Sequence, residues 1–456
     1  MNYSKISSTI VASALALSFT ACGGGDDAAP AATTTTATDY GTGTVTCSTI
    51  SNTYNGNGKS YTELCTIAGT FKNQTLTLDA TKAYRISGEV VIGGDNVNPA
   101  TLSIPADTVA YGSTGDFILI SRGSQIQASG TSTNPIILTS VEDFGNTATS
   151  ADQGQWGGLA IAGNGQINKG TEEAFEFSSV GRLFGGTNDA DNSGSITYMQ
   201  IRYSGWQYLV NAEMQGLSLG GVGSGTTLSY IQVYNSSDDG IEIWGGKANL
   251  DHIVVTGAAD DSIDTDHGYR GTLQYVYAEQ NGTADHMLEA DNEGANYNAT
   301  PRSHPKISNF TFISTGGDDA LKWKEGTQYT LVNGEVTITG AKGLIEMDTN
   351  ATFVNFSENN ASIIAGCDFS TSDNVLTSPT DSLTNGTDTI TEYLEANAIS
   401  SSITGTGKVT DNNATVTAVN PADYGFTGTT ASSDYTDATG DWRSGWALQP
   451  DGTVYP

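Results

Sequence analysis

Carboxylates at a regular spacing are the side chains with the greatest chemical potential in this 456-residue chain. Residues 238–242 and 260–264 read Asp-Asp-Gly-Ile-Glu and Asp-Asp-Ser-Ile-Asp, are spaced by 22 residues, and recur in part at residues 317–322. If each repeat is one coil of strands, equivalent residues stack about 4.8 Å apart. One outward column then reads Glu242, Asp264, Glu289, Lys322 and Glu346, and the next reads Trp244, Asp266, Asp291, Lys324 and Asp348.

Four carboxylates of these columns form an acidic square of Asp264, Asp266, Glu289 and Asp291. Like charges at this spacing repel one another and raise each other's pKa. A hard cation such as Ca²⁺ takes about six to eight oxygen ligands from such groups. The sequence therefore predicts a Ca²⁺ site, with Lys322 and Lys324 as partial compensation. A solvated acidic face screened by salt is the alternative interpretation.

The elements that position these residues are short strands. Runs of β-branched residues alternate with Gly, Asn and Asp turns from about residue 84 onward, and helical periodicity is nearly absent. A repeat of about 22 residues made only of strands and turns is typical of a solenoid. The predicted fold is all-β, a single-stranded right-handed parallel β-helix, with glycine at the turns of the coils.

Alternation along the strands predicts which side chains face inward. In the acidic strip these are Ile241, Ile243, Ile263, Thr265, Leu321 and Trp323. On a neighbouring strip the 22-residue spacing predicts one inward stack of Ile231, Ile253 and Tyr275 and another of Val233, Val255 and Tyr277.

Six short segments carry a family resemblance: residues 123–131, 134–140, 154–161, 266–271, 289–292 and 441–446. In these segments the chain resembles a group of largely uncharacterised exported β-helix proteins of Gram-negative bacteria, and the resemblance covers most of residues 90–456. It implies a right-handed parallel β-helix and export. It implies no activity and no catalytic residue.

Two enzymatic interpretations rest on analogy with other parallel β-helices, which is a weak basis for function. A lyase of the pectate-lyase kind abstracts a proton beside a uronate with Ca²⁺ and a basic residue, for which Arg270 and Lys322 are candidates. A glycosidase uses two or three carboxylates, for which Asp260, Asp261 and Asp264 are candidates. Asp-Asp pairs before Gly or Ser are also typical of Asx turns at coil corners.

Aromatic and imidazole side chains near the square have two interpretations each. Trp244 and Tyr269 are candidates for stacking on sugar rings, whereas Trp156 is expected to pack at a corner. No HExxH or HxH motif is present, so a zinc hydrolase is unsupported. His267 and His286 flank the square as possible second-shell donors, but the preferred interpretation is two solvated surface imidazoles.

The N-terminus reads as an export signal. Residues 1–21 combine Lys5, a short apolar run and small residues, and residues 18–22 resemble the lipobox of bacterial lipoproteins, with Cys22 as the lipidated residue. Residues 22–45 read as a flexible tether. Cys47 and Cys65 are predicted to form a disulfide in an oxidising compartment, and Cys367 is predicted to be a buried apolar residue.

These features together define the predicted organisation: signal 1–21, lipidated Cys and tether 22–45, N-terminal cap 46–83, β-helix 84–420 and C-terminal cap 421–456. The formal charge of −32 argues against a nucleic-acid partner. The expected protein is a lipid-anchored outer-membrane or cell-surface protein that binds a glycan or another envelope component, or forms part of the envelope layer, without catalysis. The alternative is a Ca²⁺-dependent polysaccharide lyase or glycoside hydrolase.

Overall fold

The computed structural model describes residues 38–177, 182–209, 212–282, 284–371, 374–399, 402–404, 416–432 and 434–456. The predicted signal peptide, Cys22 and most of the predicted tether lie outside the described residues.

Short strands make up most of the chain. Those before residue 221 are β1 (Thr44–Tyr54), β2 (Lys59–Phe71), β3 (Thr75–Thr77), β4 (Ala83–Ile92), β5 (Thr101–Pro105), β6 (Val109–Gly112), β7 (Phe117–Ile120), β8 (Gln125–Ser129), β9 (Ile136–Ser140), β10 (Leu159–Ala162), β11 (Glu173–Ala174), β12 (Leu183–Phe184), β13 (Gly194–Arg202), β14 (Gln207–Leu209), β15 (Ala212–Glu213) and β16 (Leu217–Gly220). Those that follow are β17 (Thr227–Tyr234), β18 (Ile241–Trp244), β19 (Asn249–Thr256), β20 (Ile263–Asp266), β21 (Thr272–Gly282), β22 (Leu288–Ala290), β23 (Lys306–Gly316), β24 (Leu321–Trp323), β25 (Thr330–Ile338), β26 (Gly343–Met347), β27 (Ile363–Ala365), β28 (Asp368–Thr371), β29 (Asn374–Leu376), β30 (Ala398–Ile399) and β31 (Ser402–Thr404).

Helices are few and short. They are α1 (Val141–Phe144), α2 (Asn350–Ser357) and α3 (Ile390–Asn397), with single 3₁₀ turns at Glu358–Asn360, Thr380–Ser382 and Pro421–Tyr424. None of the helices in the described residues is long and apolar enough to span a membrane.

Most strands pair in parallel with a strand of the next coil, along three strips. Strip A consists of β7, β10, β16, β18, β20, β22, β24, β26 and β29, each paired with the next. The other two strips are formed by the two halves of longer strands such as β17, β19 and β21. The parallel β-helix predicted from the repeat is therefore the observed architecture.

A residue with positive φ bends each long strand between its two halves. These residues are Tyr198, Tyr230, His252, Tyr275, Asn309 and Asn333, with φ between 48° and 59°. A left-handed residue that is not glycine costs roughly 1–2 kcal/mol. The aromatic members offset this cost by stacking, with ring centroids 4.2 Å apart for Tyr198 and Tyr230 and 4.2 Å apart for Tyr230 and His252.

The predicted inward positions of strip A are confirmed. Ile241 pairs with Ile263, Ile263 with Leu288, and Leu288 with Leu321. These four side chains are fully buried in one apolar core that runs through the coils, as are Ile243, Thr265 and Trp323.

The predicted inward position of Tyr275 and Tyr277 is wrong. Ile253 pairs with Val276 and Val255 with Ala278, so the spacing in this step is 23 residues rather than 22. The extra residue lies in the turn after β20, because five residues separate Asp266 from Thr272 where four separate Trp244 from Asn249. Tyr275 instead occupies the bend, with φ of 59°.

The N-terminal strands form an antiparallel hairpin of β1 and β2 in which Cys47 faces Cys65, and a disulfide joins them. The parallel pairing begins in the predicted cap, because β2 also pairs in parallel with β4. Cys367 is buried with a free thiol.

The C-terminal segment, residues 416–456, differs in position from the predicted end cap. It runs back along the side of the earlier coils, where polar side chains hold its backbone. Asn333 Nδ2 donates to Val419 O (2.7 Å), Asn309 Nδ2 donates to Thr430 O (3.0 Å), and Gln232 exchanges two hydrogen bonds of 2.7 Å with Leu448. The segment therefore clasps several coils together.

Candidate functional site

The outward face of strip A changes from apolar to charged along its length. Its register follows the predicted column, with Glu242, Asp264, Glu289, Lys322 and Glu346 directly paired in sequence. The same column reads Leu119, Ala160 and Ser218 in the coils before Glu242. The charged part therefore begins at β18.

A hairpin covers the apolar part. Between β10 and β13 the chain leaves the coil, and β11 and β12 pair antiparallel. Phe175 and Phe184 from this hairpin pack on Trp244 with ring centroids 5.5 and 6.0 Å away. Trp244 is consequently buried, and its predicted role as an open sugar-stacking platform is wrong.

Tyr269 is also not available to a ligand. It is fully buried in the core, and its hydroxyl donates to Ala248 O (2.8 Å). The prediction failed because Tyr269 fills the turn that carries the extra residue after β20, where it faces inward.

Three carboxylates form the most enclosed acidic group of strip A, here called the carboxylate trio: Asp239, Glu242 and Asp264. One oxygen of each lies within 4.8 Å of the other two. The three residues are 6%, 8% and 9% exposed, and Asp264 Oδ1 has no hydrogen-bond partner. No described lysine, arginine or histidine lies within ion-pair distance of the trio.

The trio has pKa values well above those of ordinary carboxyls. Burial is the main cause for each member, and the neighbouring carboxylates add to it. Asp264, for example, has its pKa raised by burial and by the charges of Glu289 and Asp291. Each group therefore favours a proton or a cation over the free charge.

The predicted acidic square is divided between different partners. Asp266 turns to His267, with Asp266 Oδ2 2.5 Å from His267 Nδ1. Lys324 Nζ lies 2.6 Å from Glu289 and 3.1 Å from Asp291. Asp264 is the member without an ion-pair partner, and it is shared with the carboxylate trio one coil nearer the N-terminus.

Lysines lower the pKa of Glu289. Burial alone would raise it, but Lys324 and Lys322 outweigh burial and hold the carboxylate in its charged form. Lys322 Nζ is 3.2 Å from Glu289, so this candidate base is engaged in an ion pair.

Arg270 does not face the acidic square. Its guanidinium forms a bidentate pair with Asp189, at 2.9 and 3.1 Å. Asp189 lies in the segment before β13, which the repeat pattern does not include. The candidate catalytic base of a lyase is therefore directed away from the carboxylates.

The Asp-Asp pairs connect coils rather than closing local Asx turns. Asp239 Oδ1 accepts the Asp261 N–H (2.9 Å), and Asp261 Oδ1 accepts the His286 N–H (2.7 Å). Asp238, the first member of its pair, has its pKa raised to about 7 by burial and by the charges of Asp260 and Glu213. Burial and Glu289 raise the pKa of Asp261 to about 6, against the effect of its hydrogen bond to His286.

His286 was expected to be a surface imidazole, and this expectation is wrong. The residue is fully buried, and its Nδ1 lies 3.0 Å from Asp261 Oδ1. Burial alone would lower the pKa of His286, but Asp261, Glu346 and Asp285 raise it to about 10. Nothing in the spacing signals this position, because it follows an insertion that brings the coil to 25 residues between Ile263 and Leu288.

Glu176 is a further carboxylate that the sequence pattern does not reveal. It comes from the covering hairpin, and Gln215 Nε2 contacts both Glu176 Oε1 (3.3 Å) and Asp238 Oδ2 (3.1 Å). The groove over strip A is therefore acidic on its floor and on its covered side.

The family model described as the pectate-lyase like beta helix domain matches residues 69–447. The chain belongs to this family. The match and the parallel sheet together fit a right-handed β-helix. No curated protein and no solved structure shows significant similarity to this pectate-lyase-like β-helix chain.

Proposed function

We propose that the groove over strip A binds Ca²⁺ and, through the bound ion, an acidic glycan, without cleaving it. The observation that carries the proposal is the carboxylate trio, which is buried, acidic and without a basic partner among the described residues. Ca²⁺ prefers carboxylate oxygens at about 2.3–2.6 Å and accepts irregular geometry. Asp239, Glu242 and Asp264 each offer one such oxygen, and Asp264 Oδ1 is unpartnered.

The position of the lysines supports a divalent ion at the trio rather than at the predicted square. Lys322 and Lys324 already neutralise Glu289, and Lys324 also pairs with Asp291. A cation there would compete with two ammonium groups. At the trio, the only competitor is a proton.

A bound ion also provides a recognition surface for an acidic glycan. The aromatic platforms at Trp244 and Tyr269 are buried, so ring stacking on them does not contribute. An ion held by three protein oxygens keeps further coordination positions for carboxylates of a polyuronate. The engagement of Arg270 with Asp189 favours binding over a lyase reaction that uses this arginine.

Calorimetric titration with a polyuronate, with and without Ca²⁺, tests the proposal on the full chain. We expect binding in Ca²⁺ that is lost in chelator and lost in Asp264→Asn. The exposed Asp423→Asn variant is the matched control and should bind like the wild type. Equal binding in chelator, or equal binding by Asp264→Asn, contradicts the proposal.

A glycoside hydrolase is the second candidate, and one observation favours it. A carboxyl with a pKa of about 7, such as Asp238, holds a proton at neutral pH as a general acid must. Incubation with acidic and neutral polysaccharides, followed by detection of new reducing ends, tests this function. Activity that disappears in Asp238→Asn would replace the binding proposal, and an unsaturated uronate product would indicate a lyase instead.

The envelope location is also part of the proposal. It rests on the export signal and the lipobox-like residues before Cys22, which precede the described residues. Cys22 would hold the β-helix at a membrane surface through its lipid, with the groove free to bind glycan.

A further inference from the structure

A second cluster lies beyond the lysines on strip A, and it contains a nitrogen donor. His286 Nε2 is 3.8 Å from Glu346 Oε2, and this nitrogen, Asp318 and Glu346 place one donor atom each within 4.8 Å of one another. At 3.8 Å the nitrogen and the carboxylate are too far apart for a hydrogen bond. His286 is fully buried, and Nε2 has no hydrogen-bond partner.

The other ring nitrogen is held in a defined state. Asp261 Oδ1 accepts the backbone N–H of His286 (2.7 Å) and lies 3.0 Å from Nδ1. A carboxylate acceptor at this position keeps the proton on Nδ1. The lone pair of the neutral imidazole is then on Nε2, directed at Glu346. Metal-binding histidines are oriented in this way by a carboxylate on the opposite nitrogen.

We propose that His286 Nε2, Glu346 and Asp318 bind a divalent transition-metal ion of the Zn²⁺ class. Imidazole nitrogen with carboxylate oxygen is a donor set that Zn²⁺ and related ions accept. Ligand atoms bound at about 2.1 Å in a tetrahedral site are about 3.4 Å apart. The observed 3.8 Å between His286 Nε2 and Glu346 therefore needs only a small contraction.

The site has room for a further ligand. Asp318 and Glu346 line a cavity of about 330 Å³, together with Lys342 and Thr377. Lys342 currently pairs with Asp318, but its side chain is 65% exposed and can move into solvent when a metal ion enters. Three protein ligands plus an open position is the arrangement that leaves a place for water or a small oxygen-containing ligand.

This site is distinct from the proposed Ca²⁺ site. It uses no member of the carboxylate trio, and Glu289 with its two lysines lies between them on strip A. It also differs in chemistry, because a nitrogen donor favours transition metals over Ca²⁺.

Equilibrium dialysis of the full, metal-stripped chain against Zn²⁺, followed by elemental analysis, tests the proposal. Absorption of the Co²⁺-loaded protein in the visible range reports the ligand geometry. We expect one bound equivalent in the wild type and at least tenfold weaker binding in Glu346→Gln and His286→Gln. Glu346 is partly exposed, so its variant should fold even if His286→Gln does not.

Two controls separate this proposal from the others. His304→Gln removes a different buried histidine, whose Nε2 is 2.9 Å from Thr330 Oγ1, and should keep the Zn²⁺. Asp264→Asn should lose Ca²⁺ and keep Zn²⁺. The proposal is overturned if the wild type binds no Zn²⁺ or Co²⁺, which would leave His286 as a buried imidazolium only. It is also overturned if Glu346→Gln binds the metal as tightly as the wild type.

Discussion

Asp264→Asn should stabilise the protein in the absence of Ca²⁺, by an amount that grows with pH. Asp264 is buried among carboxylates, and its pKa is raised mainly by burial and then by Glu289 and Asp291. The folded wild type therefore keeps a proton on Asp264 at a pH where the unfolded chain has released it. Asparagine has nearly the same shape and needs no proton.

The size of the effect follows from linkage. An unfolded Asp has a pKa of about 3.9, and the folded state binds more protons, so the free energy of unfolding falls as pH rises. Each pH unit over which Asp264 stays protonated costs the wild type about 1.4 kcal/mol. Ionising it costs about 3.5 kcal/mol for one charged neighbour 4.8 Å away at an effective dielectric constant of about 20. The advantage of the variant should therefore rise by about 1.4 kcal/mol per pH unit towards a limit near 3.5 kcal/mol.

Urea denaturation in chelator at about pH 5, 6.5 and 8 measures this difference. Asp423→Asn, a change at an exposed residue, is the control and should show no such trend. In excess Ca²⁺ the order should reverse, because a ligand at a hundredfold excess over its dissociation constant stabilises by about 2.7 kcal/mol. A difference between variant and wild type that does not change with pH would refute the reasoning, since it would mean that Asp264 is ionised throughout.

Three further changes test the register, the C-terminal clasp and the anchor. Ile253→Asp and Val276→Asp each place an unpaired carboxylate in the core and should lower the free energy of unfolding by at least about 3 kcal/mol in urea denaturation, whereas the exposed Asn249→Asp should not; an unchanged Val276→Asp would contradict the pairing with Ile253. The Arg443 guanidinium lies 3.9–4.2 Å from the ring centroids of Tyr277, Tyr435 and Tyr455, so Arg443→Met should weaken the clasp by about 2 kcal/mol and speed proteolysis within residues 416–456, with the exposed Arg85→Met as control and equal cleavage rates as the refuting result. Cys22→Ala should release the protein from membranes on fractionation, and retention like that of the wild type would show that the anchor lies elsewhere.

Periodicity predicted the part of the structure in which each coil has the same length. Residues 238–244 and 260–266 occupy equivalent places in successive coils, so the inward residues of strip A and the column from Glu242 to Glu346 could be predicted from spacing. One added residue in the turn after β20 was enough to misplace Tyr275 and Tyr277. A single-residue shift exchanges inward and outward faces in a strand, so such errors affect every side chain downstream.

The site could be predicted only in part, because long-range pairing decides which charges remain. The square was chosen by charge density, yet Lys324 neutralises two of its members and His267 engages a third. Trp244 was assigned to an open face because its cover comes from residues 163–184, which carry no repeat signal. The burial of His286 depends on a 25-residue coil and on contact with Asp261, neither of which has a local sequence pattern.

A crystal structure grown in Ca²⁺, with anomalous scattering used to identify the ion, tests the central claim most directly. The account predicts a cation peak about 2.4 Å from one oxygen each of Asp239, Glu242 and Asp264. Electron density without a cation there, with the three carboxyl groups hydrogen-bonded to one another through shared protons, would contradict it.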